Sequence, residues 1–259
     1  MEAIGATFAD GKWNDSTGPI TLINIIRNDS DGTRIPIGEY VSAQFEAVGF
    51  TVDRQLKTGG EASPIWISSI PEDGLWHMYT AAWSASIIDR DEANIFQEMY
   101  LPSSQQGIPA WYSNVPDPEF QTLGDNLYAA VYDNLEQRRE MMARAMELSL
   151  QDSLQVFLID GKGYIPYQDN VVATADLAAG IETGQMTPFT LRYDGEEGGS
   201  MRWATQEMFA EPYNPYSGSN WTFDHGIYGM TMGNDLMYDP FTGLAWPLHQ
   251  ERAEVTVVE

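Results

Sequence analysis

Between Pro19 and Leu56 the order of apolar and polar positions changes period twice. Ile20-Thr21-Leu22-Ile23-Asn24-Ile25-Ile26 is a nearly unbroken, β-branched run, the pattern of a strand covered on both faces. Asn28 to Thr33 follows as a turn cluster that supplies a helix N-cap. Ile37, Tyr40, Val41, Phe45 and Val48 then recur at helical spacing until Gly49 offers a left-handed stop. Phe50 to Leu56 resumes a strand. Strand, helix and strand in so short a span predict a right-handed βαβ crossover with parallel pairing, and hence an α/β fold.

Further along, Leu75 to Trp83 reads as another apolar strand, ending in the small polar turn Ser84-Ala85-Ser86. Ile88 to Tyr100 reads as a loop and short helix, and Leu101 to Pro118 as an irregular connection. Two helices are predicted over Asp117–Val131 and Asn134–Leu150. Asn134 caps the second, Glu136 and Glu140 lie near its start, and Met142, Ala145 and Met146 are spaced for burial. Val156-Phe157-Leu158-Ile159 predicts a short buried strand, turned by Asp160-Gly161-Lys162-Gly163. Beyond about Ala179, glycine, proline, asparagine and aromatics dominate, and regular helices are not expected. The last residues, Ala253 to Glu259, alternate like a strand and stop without a turn, as a cut end would. The organisation expected is an entry segment over 1–17, an α/β lobe over 18–179 and an aromatic, loop-rich segment over 180–259.

Composition narrows the chemistry. A chain of 259 residues with 43% apolar content can bury a sizeable core. Thirteen basic against 38 acidic residues give a net charge of −25, which repels phosphate backbones, so no nucleic-acid partner is expected. The absence of cysteine removes disulfides, thiolate metal sites and cysteine nucleophiles. No apolar run approaches the roughly 20 residues that span a bilayer, and the first residues carry no secretory leader pattern.

The three histidines, His77, His225 and His249, are too scattered for a ligand motif, and Asp29-Ser30-Asp31-Gly32 lacks the full oxygen set of a calcium loop, so no metal or cofactor is expected. Nucleophile-elbow, P-loop and dinucleotide motifs do not occur. The position with chemical interest is the end of the Leu75–Trp83 strand, because ligands of open α/β sheets collect beyond the carboxyl ends of strands. Trp83 there is either a core residue or the apolar wall of a pocket, and Ser84 and Ser86 bring hydroxyls.

Several segments together resemble the C-terminal lobe of the family 5 extracellular solute-binding proteins, the dipeptide- and oligopeptide-binding subunits of ABC importers. They are Gly18-Pro19 before the first strand, the helix end Phe45-Glu46-Ala47-Val48-Gly49 running into Phe50-Thr51-Val52, then Ala82-Trp83-Ser84-Ala85-Ser86, Asp91-Glu92-Ala93-Asn94-Ile95-Phe96, and Asp117-Pro118-Glu119-Phe120 with Gln137-Arg138-Arg139. The resemblance covers roughly residues 1–175, and only loosely the remainder. It implies a type II periplasmic-binding-protein-like lobe that is not an enzyme and needs no cofactor. Such a lobe grips a peptide or other small solute against an N-terminal lobe preceding Met1 and delivers it to ABC permease subunits. It also implies an extracytoplasmic place, periplasmic or at the cell surface as a lipoprotein. Carried onto this sequence, the ligand-binding residues are Ala82, Trp83, Ser84 and Ser86, with Arg90 either facing an anionic group or lying on the surface. Two departures stand out: Ser86 occupies the position of the family's aspartate for a peptide α-ammonium, and Ala82 that of a glycine. The alternatives are a carboxylate-dependent glycoside hydrolase and a non-catalytic adhesion module using the aromatic tract 213–246.

Overall fold

The computed structural model describes residues 1–29, 32–83, 92–104, 108–177, 180–204, 222–231, 236–239, 241–249, 251–252, 254 and 256. The chain is mixed α/β, with small sheets and helices. It divides into two compact units, Met1–Ala82 with Asp91–Ile159, and Trp83–Arg90 with Asp160–Glu259.

The first unit opens with three short antiparallel strands, β1 (Thr7–Ala9), β2 (Lys12–Asp15) and β3 (Gly18–Pro19). Phe8 and Trp13 meet edge to face at 5.1 Å. Phe8 also lies where a side chain at residue 49 would stand: a Cβ on Gly49, at φ +101°, would fall 2.5 Å from the Phe8 ring. That residue must therefore be glycine on both steric and conformational grounds.

β4 (Thr21–Arg27) is the central strand of a parallel sheet. β5 (Thr51–Lys57) pairs along its whole length, from Thr21 opposite Thr51 to Arg27 opposite Lys57. On its other side β6 (Met78–Tyr79) pairs in parallel with Asn24 and Ile25. Ile25 and Ile26 are fully buried, as the β-branched run requires. The crossover helix α1 (Arg34–Ala47) confirms the expected strand–helix–strand unit, but not its contact stripe. Tyr40 and Val48 are exposed, and the buried positions are Gly38 and Ser42. A Cβ on Gly38 would come within 2.6 Å of Ile26, so the helix is packed too close for a larger residue there. Ser42 donates its hydroxyl to the Gly38 carbonyl at 2.8 Å and accepts from Asn24 Nδ2 at 2.9 Å, which satisfies a buried polar side chain in mid-strand.

Helix α2 (Gly59–Trp66) follows β5 and starts with a capping box between Thr58 and Glu61. The expected strand over Leu75–Trp83 is much shorter, since only Met78 and Tyr79 pair as β6. Three helices complete the unit, α3 (Ile95–Tyr100), α4 (Pro118–Tyr128) and α5 (Leu135–Asp152), near the predicted spans and with Asp117 and Asn134 as side-chain N-caps. Phe96, Tyr100, Leu101, Phe120, Leu127, Ala145 and Leu148 form their core. Ala145 is buried and Met142 packs against that core, whereas Met146 is exposed. Arg144 holds Glu119 with two bonds of 2.8 and 2.6 Å, tying α5 to α4. The expected buried strand Val156–Ile159 is neither a strand nor buried: all four side chains are exposed, and among the described residues no neighbouring strand takes its backbone groups.

In the second unit β7 (Val171–Val172) pairs antiparallel with β8 (Arg192–Tyr193), and a single turn of helix, α6 (Thr187–Thr190), precedes β8. Helix α7 (Thr222–Thr231) falls in the region expected to lack helices. Glycine lowers helix propensity, but Gly226 serves close packing: a Cβ there would stand 2.7 Å from the Glu182 carbonyl oxygen. A hairpin of β9 (Leu236–Tyr238) and β10 (Ala245–Pro247) ends the regular structure.

Gly38→Ala tests the close approach of α1 to β4. Overpacking against Ile26 costs about 1–3 kcal/mol, more than the roughly 1 kcal/mol that alanine gains over glycine in a helix. The expected result is a lower urea midpoint with an unchanged far-ultraviolet spectrum.

Candidate functional site

Because β4, β5 and β6 run parallel, their carboxyl ends share one edge of the sheet, where Arg27, Lys57 and Tyr79 are the last strand residues. This is the edge at which an open α/β sheet offers a crevice to ligands. Its centre is an ion pair. Arg27 Nε donates to Asp29 Oδ1 at 2.6 Å, and Arg27 Nη1 donates to the Tyr79 hydroxyl at 2.8 Å. The other Asp29 oxygen accepts from the Gly59 backbone N–H at 2.6 Å, so the carboxylate also sits at the amino end of α2, where its charge is favoured. A Cβ on Gly59 would lie 2.6 Å from the guanidinium, so glycine is what lets α2 begin beside Arg27. The Arg27 N–H donates to the Thr80 hydroxyl at 3.0 Å and Thr80 N–H to the Ile25 carbonyl at 3.1 Å, extending the β4–β6 junction past β6.

Arg27 and Asp29 side chains are almost wholly buried. Burial would push the Asp29 carboxyl up, but the bonds from Arg27 and Gly59 outweigh it and hold the group below the usual carboxylate range. For Arg27, burial works against the charge while Asp29 and Tyr79 favour it, with a net upward shift. The pair is therefore fixed and mutually neutralised, suited to rigid support rather than to proton transfer. Tyr79, pinned through its hydroxyl, stacks on Trp66 at 5.1 Å with the rings 20° apart. The edge thus combines a locked polar pair with a stacked aromatic wall. The indole nitrogens of Trp66 and Trp76 are buried and have no hydrogen-bond partner among the described residues.

The chain leaves this edge through Ala81 and Ala82, both exposed. Trp83, the first residue of the second unit, is 68% exposed, so it is not a core residue. Ser84, Ser86 and Arg90, expected to bind ligand, lie outside the described residues. The Arg27–Asp29 pair was missed by the sequence reading, although a signal exists in a cation closing an apolar strand with an acid two residues on. His77 accepts at Nδ1 from the Ile23 N–H at 2.9 Å and returns its own N–H to the Ile23 carbonyl at 2.9 Å, a structural role beside β4. Among the described residues no three histidine or acidic side chains converge in a way that could hold a metal ion.

Within the helical part of this unit, Asp125 accepts from Gln97, Ser103 and Gln121 at 2.7–2.8 Å. Burial raises its carboxyl, and these three donors more than reverse the effect. In the second unit a cavity of about 230 Å³ is lined by Gln185, Phe189, Met230, Met237, Leu248 and His249 among others.

No family model, curated protein or solved structure matches the chain.

Asp29→Ala leaves Arg27 buried without its counter-charge, a loss of about 3–5 kcal/mol at neutral pH. The sign of the pH dependence follows from the lowered Asp29 carboxyl. Its contribution is complete above the unfolded value of about 3.9 and fades as pH falls through the lower folded value. Denaturant titrations at pH 7 and near pH 3 should show the gap between native and Asp29→Ala proteins narrowing in acid.

Proposed function

We propose that the chain is a non-enzymatic solute receptor, one lobe of a two-lobed clamp that captures a peptide or other small solute and hands it to the permease of an ABC importer outside the cytoplasm. The observation that carries this reading is the parallel β5-β4-β6 sheet, whose carboxyl edge bears the locked Arg27–Asp29 pair and the Trp66–Tyr79 stack. A receptor needs a rigid wall with apolar area and oriented hydrogen-bonding groups. A mutually neutralised ion pair is a means of holding such a wall without offering a reactive group. The order of segments that resembles the type II periplasmic-binding-protein lobe supports the same assignment.

In this reading the exposed Trp83 is the apolar platform and Ser84 and Ser86 are the hydrogen-bonding groups of the turn, with Arg90 beyond them. A charged hydrogen bond contributes about 1.5–3 kcal/mol, so a serine hydroxyl at position 86 weakens the hold on a free α-ammonium and shifts preference toward solutes without one. Closure would follow a hinge, driven by contacts that the solute makes only in the closed state.

A second reading, a non-catalytic surface module, is favoured by one observation: Phe241, Leu244 and Trp246, at the β9–β10 hairpin, are all exposed.

Thermal melts with pools of free peptides, N-acetylated peptides and sugars test the first reading. A solute at a hundred times its Kd stabilises by about 2.7 kcal/mol, a rise in Tm of roughly 5–10 °C for a chain of this size. N-acetylated peptides should match or exceed free ones, and mass spectrometry should recover the solute unchanged. Trp83→Ala should remove the shift while leaving the unliganded Tm in place. Conversion of a sugar or peptide to product would overturn the receptor assignment.

A further inference from the structure

An asparagine followed two positions later by serine or threonine, with any residue but proline between, is the tripeptide whose side-chain amide accepts a glycan in proteins that leave the cytoplasm. Such tripeptides occur at Asn14-Asp15-Ser16, Asn28-Asp29-Ser30 and Asn220-Trp221-Thr222. Ser30, Asn220 and Trp221 lie outside the described residues. The fold presents the first two asparagines in opposite ways.

Asn14-Asp15-Ser16 runs from the end of β2 into the tip of the β2–β3 hairpin, where Asn14 pairs with Pro19 and Asp15 with Gly18. Asp15, Ser16 and Thr17 are exposed. The Asp15 carboxylate is occupied within the turn, accepting the Thr17 N–H and the Thr17 hydroxyl at 2.6 Å each. The Ser16 hydroxyl has no hydrogen bond among the described residues, so the group that must be read together with the asparagine amide is free at the tip. Asn14 itself is half-buried. Its Nδ2 donates to the Lys12 carbonyl at 2.9 Å and reaches the Ala9 carbonyl only at 3.5 Å, so one amide hydrogen is well bonded and the other scarcely. A glycosylated amide nitrogen keeps one N–H, and a sugar can therefore replace the second hydrogen while the bond to Lys12 persists.

Asn28-Asp29-Ser30 is held shut. The Asn28 N–H donates to the Lys57 carbonyl at 3.0 Å, and Asp29 is fixed by Arg27 and by the Gly59 N–H at 2.6 Å each. Drawing this tripeptide into the cleft of a modifying enzyme would break a buried ion pair. A glycan on Asn28 would also stand at the carboxyl edge of the sheet, in the place a solute needs. Asn14 has no such conflict, because its hairpin leads into the amino end of β4, with the strand extending roughly 20 Å to the other edge.

We propose that Asn14 is an N-glycosylation site, selected over Asn28 by the folded chain. The co-substrate is a glycan carried on a polyprenyl phosphate. Asn14 Nδ2 forms a bond to the anomeric carbon, the bond from that carbon to the phosphate oxygen breaks, and the lipid phosphate departs with the electron pair. The amide gives up one proton, and nothing is oxidised or reduced. The proposal rests on the placement outside the cytoplasm in the receptor reading, since asparagine receives its glycan from the lipid carrier on that side of the membrane.

Mass spectrometry of the chain purified from the cells that make it tests the site. Trypsin cuts after Lys12, Arg27 and Arg34, so Asn14 and Asn28 fall in separate peptides, Trp13–Arg27 and Asn28–Arg34. The first peptide should carry added sugar masses, and the second should be bare. Ser16→Ala should lose the glycan and Ser16→Thr should keep it. The exposed, unbonded hydroxyl makes no contribution to the fold, so both variants should retain the native Tm. A chain recovered outside the cytoplasm with Asn14 bare would overturn this proposal and leave the receptor reading standing. A glycan on Asn14 of a chain that no solute stabilises would do the reverse, and a chain confined to the cytoplasm would overturn both. Occupancy at Asn28 equal to that at Asn14, or a glycan that survives Ser16→Ala, would also overturn the proposal.

Discussion

The burial of β4 on both faces is the constraint from which the first unit is built. A strand with Ile25 and Ile26 fully buried needs cover on each side, and α1 supplies it on one by packing so closely that residue 38 must be glycine. The same burial takes Asn24 out of water, and Ser42 answers it from the helix. It also carries Arg27 inside at the end of the strand, where an unpaired guanidinium would cost several kcal/mol. Asp29 meets that charge and in doing so caps α2 through the Gly59 N–H. Helix α2 ends at Trp66, whose ring lies on Tyr79, and the Tyr79 hydroxyl returns to Arg27. Strand, loop, helix and neighbouring strand are thus joined through one buried cation.

How much of this was legible in the sequence follows from the range of the interactions involved. The β4–α1–β5 crossover was readable because its signals are local: a β-branched run, a turn cluster, a helical repeat and a glycine stop. The cap Asn134 was readable for the same reason, whereas Asp117, expected as the first helical residue, turns out to cap α4. The contact face of α1 was not, because the positions that touch the sheet are small and a search for apolar periodicity favours Tyr40 and Val48, which point to solvent. Apolar runs gave strands where pairing was available and failed where it was not. Ile20 to Ile26 found β5 and β6, whereas Val156 to Ile159 has no partner among the described residues. Glycine misled in the opposite direction, since Gly226 in α7 marks a close approach to Glu182 rather than a loop.

The candidate site divides along the same line. Trp83 is exposed but lies beyond β6, which ends at Tyr79, and Ser84, Ser86 and Arg90 lie outside the described residues. The Arg27–Asp29–Tyr79 arrangement was not found, because Arg27 and Tyr79 are 52 positions apart and Asp29 and Gly59 are 30 apart. Until the fold closes, Asp29 reads as part of a polar turn and Arg27 as a charge at its edge. Pairing through space turns two solvated groups into a buried support.

The distribution of positive charge extends this logic to the whole first unit. With 38 acids against 13 bases, folding concentrates like charge, and self-repulsion opposes compaction. Three arginines are placed where they offset that repulsion across junctions between elements. Arg27 joins β4 to the loop and to β6, Arg54 on β5 holds Glu39 and Glu46 of α1, and Arg144 on α5 holds Glu119 of α4. Exposed pairs of this kind contribute little one at a time, but here each cation bridges two elements that also share a packed face. Most of the other described acids of this unit are exposed, and their like charge makes its surface repulsive to another acidic surface.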